Sequence, residues 1–121
     1  MDCSSPYDEV INNEGEVISP NYPENYNIDQ ECRLTITLSS GSLVSSQFIS
    51  FNLEDDLGCE YDWLEIRDGD SPSSPIIGSR LCGSSNPGTI ISTGNSVTLI
   101  FHSDFSVAAS GFKINIEQGK I

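Results

Sequence analysis

The chain has 121 residues, 36% of them hydrophobic, and sets 18 Asp+Glu against 5 Lys+Arg for a formal charge of −13, which suits one soluble domain filling residues 1–121. Arg33, Arg67, Arg80, Lys113 and Lys120 are too few and too scattered to displace counterions from phosphates, so nucleic acid and anionic membrane surfaces are poor partners. No run of about 18 apolar residues exists, and Met1-Asp2-Cys3 lacks the basic-then-apolar start of a secretory signal, so neither a membrane span nor a signal is expected.

In chain order, a short apolar piece at 16–18 precedes the turn-rich string Ser19-Pro20-Asn21-Tyr22-Pro23. Leu34, Ile36 and Leu38 then alternate with Arg33, Thr35 and Thr37, as a half-buried strand requires. After Ser40-Gly41 comes an apolar piece at 43–45, and then Ile49, Phe51 and Leu53 alternating with Ser50, Asn52 and Glu54. Leu64 and Ile66 alternate with Trp63, Glu65 and Arg67, and Asp68-Gly69-Asp70-Ser71-Pro72 ends that strand. Pieces at 76–81 and 89–92 are shorter; Val97, Leu99 and Phe101, followed by Phe112, Ile114 and Ile116, complete the pattern. Twenty serines, ten glycines and six prolines punctuate these pieces, and no segment keeps a 3.6-residue period over three turns. The expectation is all-β: an antiparallel two-sheet sandwich of eight or nine strands, with Gln118 to Ile121 frayed.

Cys3, Cys32, Cys59 and Cys82 lie far apart, and His102 is the single histidine, a pattern poor for structural zinc. An even count in a small Ser/Gly-rich chain reads as two disulfides and an oxidising, extracellular compartment; three pairings are open, of which the sequential one is Cys3–Cys32 with Cys59–Cys82.

Eight of the 18 acids fall between Glu54 and Asp70, accompanied only by Arg67. If 49–54 and 62–68 are adjacent antiparallel strands, the connection Asp55 to Tyr61 brings Glu54 and Asp62 together at one end of the sandwich. Two anions held close call for a cation between them. Calcium suits such a place because it is hard and takes six to eight oxygens at about 2.3–2.6 Å. Neither Asp55-Asp56-Leu57-Gly58 nor Asp68-Gly69-Asp70 has the ligand spacing of an EF-hand loop.

Taken together, Ser19-Pro20-Asn21-Tyr22-Pro23, Phe51-Asn52-Leu53-Glu54, Cys59-Glu60-Tyr61-Asp62-Trp63-Leu64-Glu65-Ile66-Arg67-Asp68-Gly69, Leu81-Cys82-Gly83, Phe101-His102-Ser103-Asp104 and Gly111-Phe112 resemble the CUB family over about residues 3 to 117. The resemblance implies a jelly-roll-like sandwich with Cys3–Cys32 and Cys59–Cys82 bonded. It also implies membership of a calcium-binding subset, with Glu54, Asp62 and Asp104 as ligands and a backbone carbonyl near Ser106 beside them. Where some members add an asparagine side chain, this sequence has Val107; where some have a tyrosine that orients the glutamate, it has Glu14. In family members an acid at this end receives a lysine or arginine, so the implied function is a non-catalytic, secreted or ectodomain module for protein recognition, with a partner that exposes Lys or Arg.

Sharper chemistry finds less support. His102, Ser103, Asp104 and Ser106 include the residue types of a hydrolase, but no G-x-S-x-G elbow exists and neighbours on a strand point to opposite faces. Glu54 and Asp62 without a sugar cleft do not make a glycosidase. Tyr61 and Trp63, with Tyr22 and Tyr26, are candidates for a partner- or glycan-binding patch, which carries the alternative of a carbohydrate-binding or self-associating adhesion domain of the spermadhesin type.

Overall fold

A computed structural model describes residue 1 and residues 8–119 of the chain. It contains eight strands: β1 (Asp8–Ile11), β2 (Gly15–Ile18), β3 (Glu31–Thr37), β4 (Leu43–Asn52), β5 (Trp63–Arg67), β6 (Thr89–Ile91), β7 (Ser96–His102) and β8 (Gly111–Gly119). They form two four-stranded sheets, ordered β1-β3-β7-β5 and β2-β8-β4-β6. Odd strands make one sheet and even strands the other, so each connection between consecutive strands crosses the sandwich.

The core lies between the sheets and is filled from the alternating positions. Leu34 and Ile36 of β3, Val97, Leu99 and Phe101 of β7 and Leu64 and Ile66 of β5 face Phe112, Ile114 and Ile116 of β8 and Val44, Phe48 and Phe51 of β4; all are buried. Phe101 packs edge-on against Phe112 at 5.5 Å and against Tyr26 at 5.1 Å, the geometry that ring quadrupoles favour.

Four features depart from the sequence reading. The sandwich is not wholly antiparallel, because β1 pairs parallel with β3: the chain visits the other sheet as β2 before returning, so both strands run the same way. The piece at 43–45 and residues 49–52 of the next one belong to a single strand, β4, which ends at Asn52 and leaves Leu53 and Glu54 in the following connection; its register against β8 shifts between Phe48 and Ser50. That bulge swaps the inward phase, so Phe48 is buried while Ile49 is 50% exposed. Next, β4 and β5 are not sheet neighbours but lie in opposite sheets. The piece at 76–81 forms no strand of its own; it makes isolated bridges from Ile76 to Arg67 and from Leu81 to Leu64 along the open edge of β5.

Of the two expected disulfides, Cys59–Cys82 is described, with Cα atoms 5.6 Å apart and a sequence separation of 23, which in the chain-entropy account is worth about 3 kcal/mol. Cys32 is also disulfide-bonded, and its expected partner Cys3 lies outside the described residues. The expected fraying of the C-terminus does not extend to Gln118, whose amide donates to Glu14 Oε2 at 2.7 Å within β8; Lys120 and Ile121 lie outside the described residues.

Ser19 locks the start of β8. Its amide donates to the Phe112 carbonyl and its hydroxyl accepts the Phe112 amide, both at 3.0 Å. Gly111 (φ +87°) lies so close that a Cβ there would run into the Ser19 hydroxyl. The same string holds a cis Tyr22–Pro23 bond, and the Tyr22 hydroxyl bonds to Ser50 at 2.6 Å.

Candidate metal centre

The pairing of the strands gathers several of their ends. Asn52, at the end of β4, pairs with Gly111 at the start of β8; Trp63, at the start of β5, pairs with His102 at the end of β7; and His102 also pairs with Glu31 at the start of β3. Three connections therefore meet at one tip: 19–30, 53–62 and 103–110. Glu54 and Asp62 sit at the two ends of the second and Asp104 in the third. One carboxylate oxygen from each lies within 4.8 Å of the others.

Each acid is held by backbone and side-chain bonds that cross between connections. Asp62 is completely buried. Its Oδ1 accepts the Asp104 amide at 2.8 Å, and its Oδ2 accepts the hydroxyl of buried Tyr26. That same hydroxyl oxygen accepts the Glu54 amide at 3.2 Å, so one tyrosine ties the glutamate backbone to the aspartate side chain. The Asp104 carbonyl accepts the Asp29 amide at 2.7 Å, and its Oδ1 accepts the Ser106 amide at 3.3 Å. Val107 is exposed.

The electrostatics are those of uncompensated anions. Among the described residues, none of the three carboxylates has a Lys or Arg ion-pair partner. Burial, then the charges of Asp104 and Asp62, push the Glu54 carboxyl above its usual range. Burial also raises Asp62, against the bonds from Tyr26 and the Asp104 amide that favour its ionised form. The Tyr26 phenol is driven far above its ordinary value by burial and by donating to Asp62, so it stays a donor. Glu54 Oε1 is buried and has no hydrogen-bond partner, an arrangement that is costly unless a ligand completes it.

Two residues important here were missed by the sequence reading. Tyr26, which the sequence offers only as a patch candidate, does the orienting that the resemblance assigns to the position of Glu14, whereas Glu14 bonds to β8 instead. Asp56 organises the 53–62 connection: its carboxylate accepts the amides of Gly58, Glu60 and Tyr61 at 3.0–3.2 Å. Although partial burial works the other way, these backbone bonds lower its carboxyl below the usual range. The Asp56–Gly58 spacing of an Asx turn is the signal that marks it. Nearby, the Leu53 amide donates to the Gly83 carbonyl at 2.9 Å, so Leu81-Cys82-Gly83 braces the connection through both this bond and the disulfide.

The other candidates flank the three acids or lie along β5. Tyr61 is 51% exposed, next to Asp62. Trp63 is half-buried on the outer face of β5, with its ring stacked on His102 at 5.2 Å and the Arg80 guanidinium 4.1 Å above it. Below Arg80, buried Glu65 is ion-paired to Arg80 at 2.8 Å and to Arg67 at 2.6 Å. The Ser103 hydroxyl donates to the Asn27 carbonyl at 2.8 Å and accepts the Gln30 amide at 2.9 Å, which makes it a brace for the 19–30 connection.

The CUB domain family profile matches residues 3–116. The chain belongs to the CUB domain family. Among relatives, this CUB domain is 45% identical to human tolloid-like protein 1 over 107 residues, which is 88% of the chain and 10% of that protein, and 42% identical to dog cubilin over 98 residues, 81% of the chain and 3% of that protein. It thus spans about a tenth or less of these relatives' length. Among solved structures it superposes on the CUB2 domain of MASP-1 bound to Ca²⁺ with a TM-score of 0.79 and 30% identity, covering 90% of this chain and 96% of that one. It superposes on the full extracellular region of zebrafish Gpr126/Adgrg6 with a TM-score of 0.82 and 36% identity, covering 93% of this chain and 14% of that one. The relatives are extracellular proteins, and this CUB domain is an extracellular module of their kind. No helix among the described residues is long and apolar enough to cross a membrane.

Proposed function

We propose that this single CUB domain is a non-catalytic recognition module that holds one Ca²⁺ between Glu54, Asp62 and Asp104 and receives a basic side chain of a protein partner at the same tip. The observation that supports it best is the buried, partnerless Oε1 of Glu54 beside two further carboxylates. Oxygens within 4.8 Å of one another fit inside the span of about 5 Å that two ligands on opposite sides of one Ca²⁺ can cover. Three hard anionic donors suit calcium rather than a softer metal. The carbonyl near Ser106 and water would complete the shell, with no part for the Val107 side chain. The two pairs Cys3–Cys32 and Cys59–Cys82 belong to the same reading.

The role of the ion is structural and electrostatic. It would neutralise most of the charge that keeps these acids in tension and fasten the 53–62 and 103–110 connections to each other. Three carboxylates with one Ca²⁺ retain a net charge of about −1, so an arriving lysine or arginine meets an anionic, pre-ordered surface. Thermal unfolding with Ca²⁺ and with chelator tests the reading. At a hundredfold excess over the dissociation constant, binding adds about 2.7 kcal/mol, or roughly 10 °C for a domain of this size. A melting temperature indifferent to Ca²⁺ would defeat it.

A further inference from the structure

Nine large apolar side chains are exposed among the described residues, and five of them, Ile28, Leu57, Tyr61, Phe105 and Val107, belong to the three connections that meet around the acidic centre. Tyr61 and Phe105 directly follow or precede acids of the trio: Tyr61 adjoins Asp62, and Phe105 adjoins Asp104, while the Asp104 amide is bonded to Asp62 Oδ1. Ile28 precedes Asp29, whose amide is bonded to the Asp104 carbonyl at 2.7 Å. Leu57 sits inside the turn that the Asp56 carboxylate closes onto Gly58, Glu60 and Tyr61. Val107 follows Ser106, whose amide is tied to Asp104 Oδ1.

Nothing in the fold requires these side chains to face water. Phe105 is 77% exposed and Leu57 fully so, and polar residues in a solvated loop would serve the metal equally well. Apolar groups gathered at one tip, on connections held by bonds to a shared centre, are the composition of a binding surface rather than of a solubilising one. The occupant follows from charge. Glu54, Asp55, Asp56, Glu60, Asp62 and Asp104 all lie on two of these connections, in a chain of net charge −13. An anionic lipid surface is repelled by such a field, whereas a cationic segment is attracted.

We infer that the five apolar side chains form a collar around the acidic centre, and that the partner it fits is an extended protein segment in which one lysine or arginine is flanked by apolar residues. The inference rests on the docking reading above and adds selectivity to it: the acids take the cation, and the collar reads its neighbours. Burying two flanking side chains against Phe105, Leu57 and Tyr61 gives an affinity advantage of about tenfold or more over polar neighbours, after the ordering cost of the segment.

The test uses the full chain in Ca²⁺ buffer and two synthetic peptides that differ only beside a single lysine, Leu-Lys-Phe in one and Ser-Lys-Ser in the other. Expected is about tenfold tighter binding of the apolar-flanked peptide, with the advantage lost in Phe105→Ser and Leu57→Ser and kept in Ile91→Ser, an exposed apolar site on β6. Ca²⁺ titration of each variant verifies that its centre is intact. Equal binding of the two peptides, both abolished by Asp62→Ala, overturns the collar and leaves the docking reading standing. If neither peptide binds while Ca²⁺ still does, the docking reading fails and the collar with it. Ca²⁺-dependent binding to phosphatidylcholine/phosphatidylserine vesicles that Phe105→Ser removes, without a peptide preference, overturns the protein partner in favour of a membrane. Equal losses in Phe105→Ser and Ile91→Ser overturn the collar as non-specific stickiness.

Discussion

Replacing Tyr26 by Phe isolates the bond network from the packing. The ring keeps its edge contact with Phe101 at 5.1 Å, and only the hydroxyl is lost. Two bonds disappear with it, the one donated to Asp62 Oδ2 and the one accepted from the Glu54 amide. A hydrogen bond to a charged group contributes about 1.5–3 kcal/mol, and a buried amide left without a partner costs about 1–3 kcal/mol. Allowing for water reaching the vacated space, the sum is roughly 2–4 kcal/mol, a large share of the 5–15 kcal/mol typical of a domain. Because the hydroxyl positions one proposed ligand and the backbone of another, calcium affinity falls about 10- to 100-fold as well. Urea unfolding in chelator reads the first effect and calorimetric Ca²⁺ titration the second. If Tyr26→Phe matches the wild type in both, the hydroxyl does not organise the centre and the reasoning is refuted.

Other perturbations separate the remaining parts of the account. Asp56→Ala removes the acceptor of three loop amides and is expected to speed hydrogen exchange at Gly58, Glu60 and Tyr61 by about tenfold while leaving β8 amides unchanged; unaltered exchange would show that the turn holds without it. Glu65 lies under Arg80 and Arg67, whose bonds outweigh the opposing effect of burial and lower its carboxyl below the ordinary 4.5. With a depressed folded-state value, its contribution is fully present above about pH 4.5 and is lost as pH falls through the lowered value. The half-exposed arginines limit that contribution to about 1–2 kcal/mol. Wild type should therefore lose stability in that acid window more steeply than Glu65→Gln, and parallel urea midpoints for the two would contradict the pairing. Gly111→Ala places a methyl group against the Ser19 hydroxyl at a positive φ, for an expected loss of about 3 kcal/mol in unfolding free energy; a loss under about 0.5 kcal/mol would mean that the Ser19 clamp yields easily.

How far the sequence led depends on the range of the interaction concerned. Strands such as Leu34–Ile36–Leu38 and Phe112–Ile114–Ile116 announce themselves because period-two alternation is a local property of one buried face. The phase of β4 was not legible: a one-residue bulge at Phe48–Ser50 is fixed by its partner strand β8 and leaves no mark in the residues themselves. Likewise the strict alternation between sheets and the parallel β1–β3 pair depend on where the chain goes next. The three acids were named from the acidic run and the family likeness, but the assumed hairpin between Glu54 and Asp62 was wrong. They meet because the chain crosses between sheets at that tip. Tyr26 is legible only as an aromatic in the polar stretch Glu24-Asn25-Tyr26-Asn27, a candidate for a surface patch; its role at the centre is not, because its bond to Asp62 spans 36 residues.

The function of this tip depends on whether these oxygens share an ion. Calorimetric titration of chelator-stripped protein with Ca²⁺, with Mg²⁺ alongside, measures that directly. One Ca²⁺ per chain, weaker uptake of Mg²⁺, and loss of the signal in Asp62→Ala and Asp104→Ala are predicted. Absence of Ca²⁺ uptake by the wild type, or uptake that both substitutions leave unchanged, would contradict it.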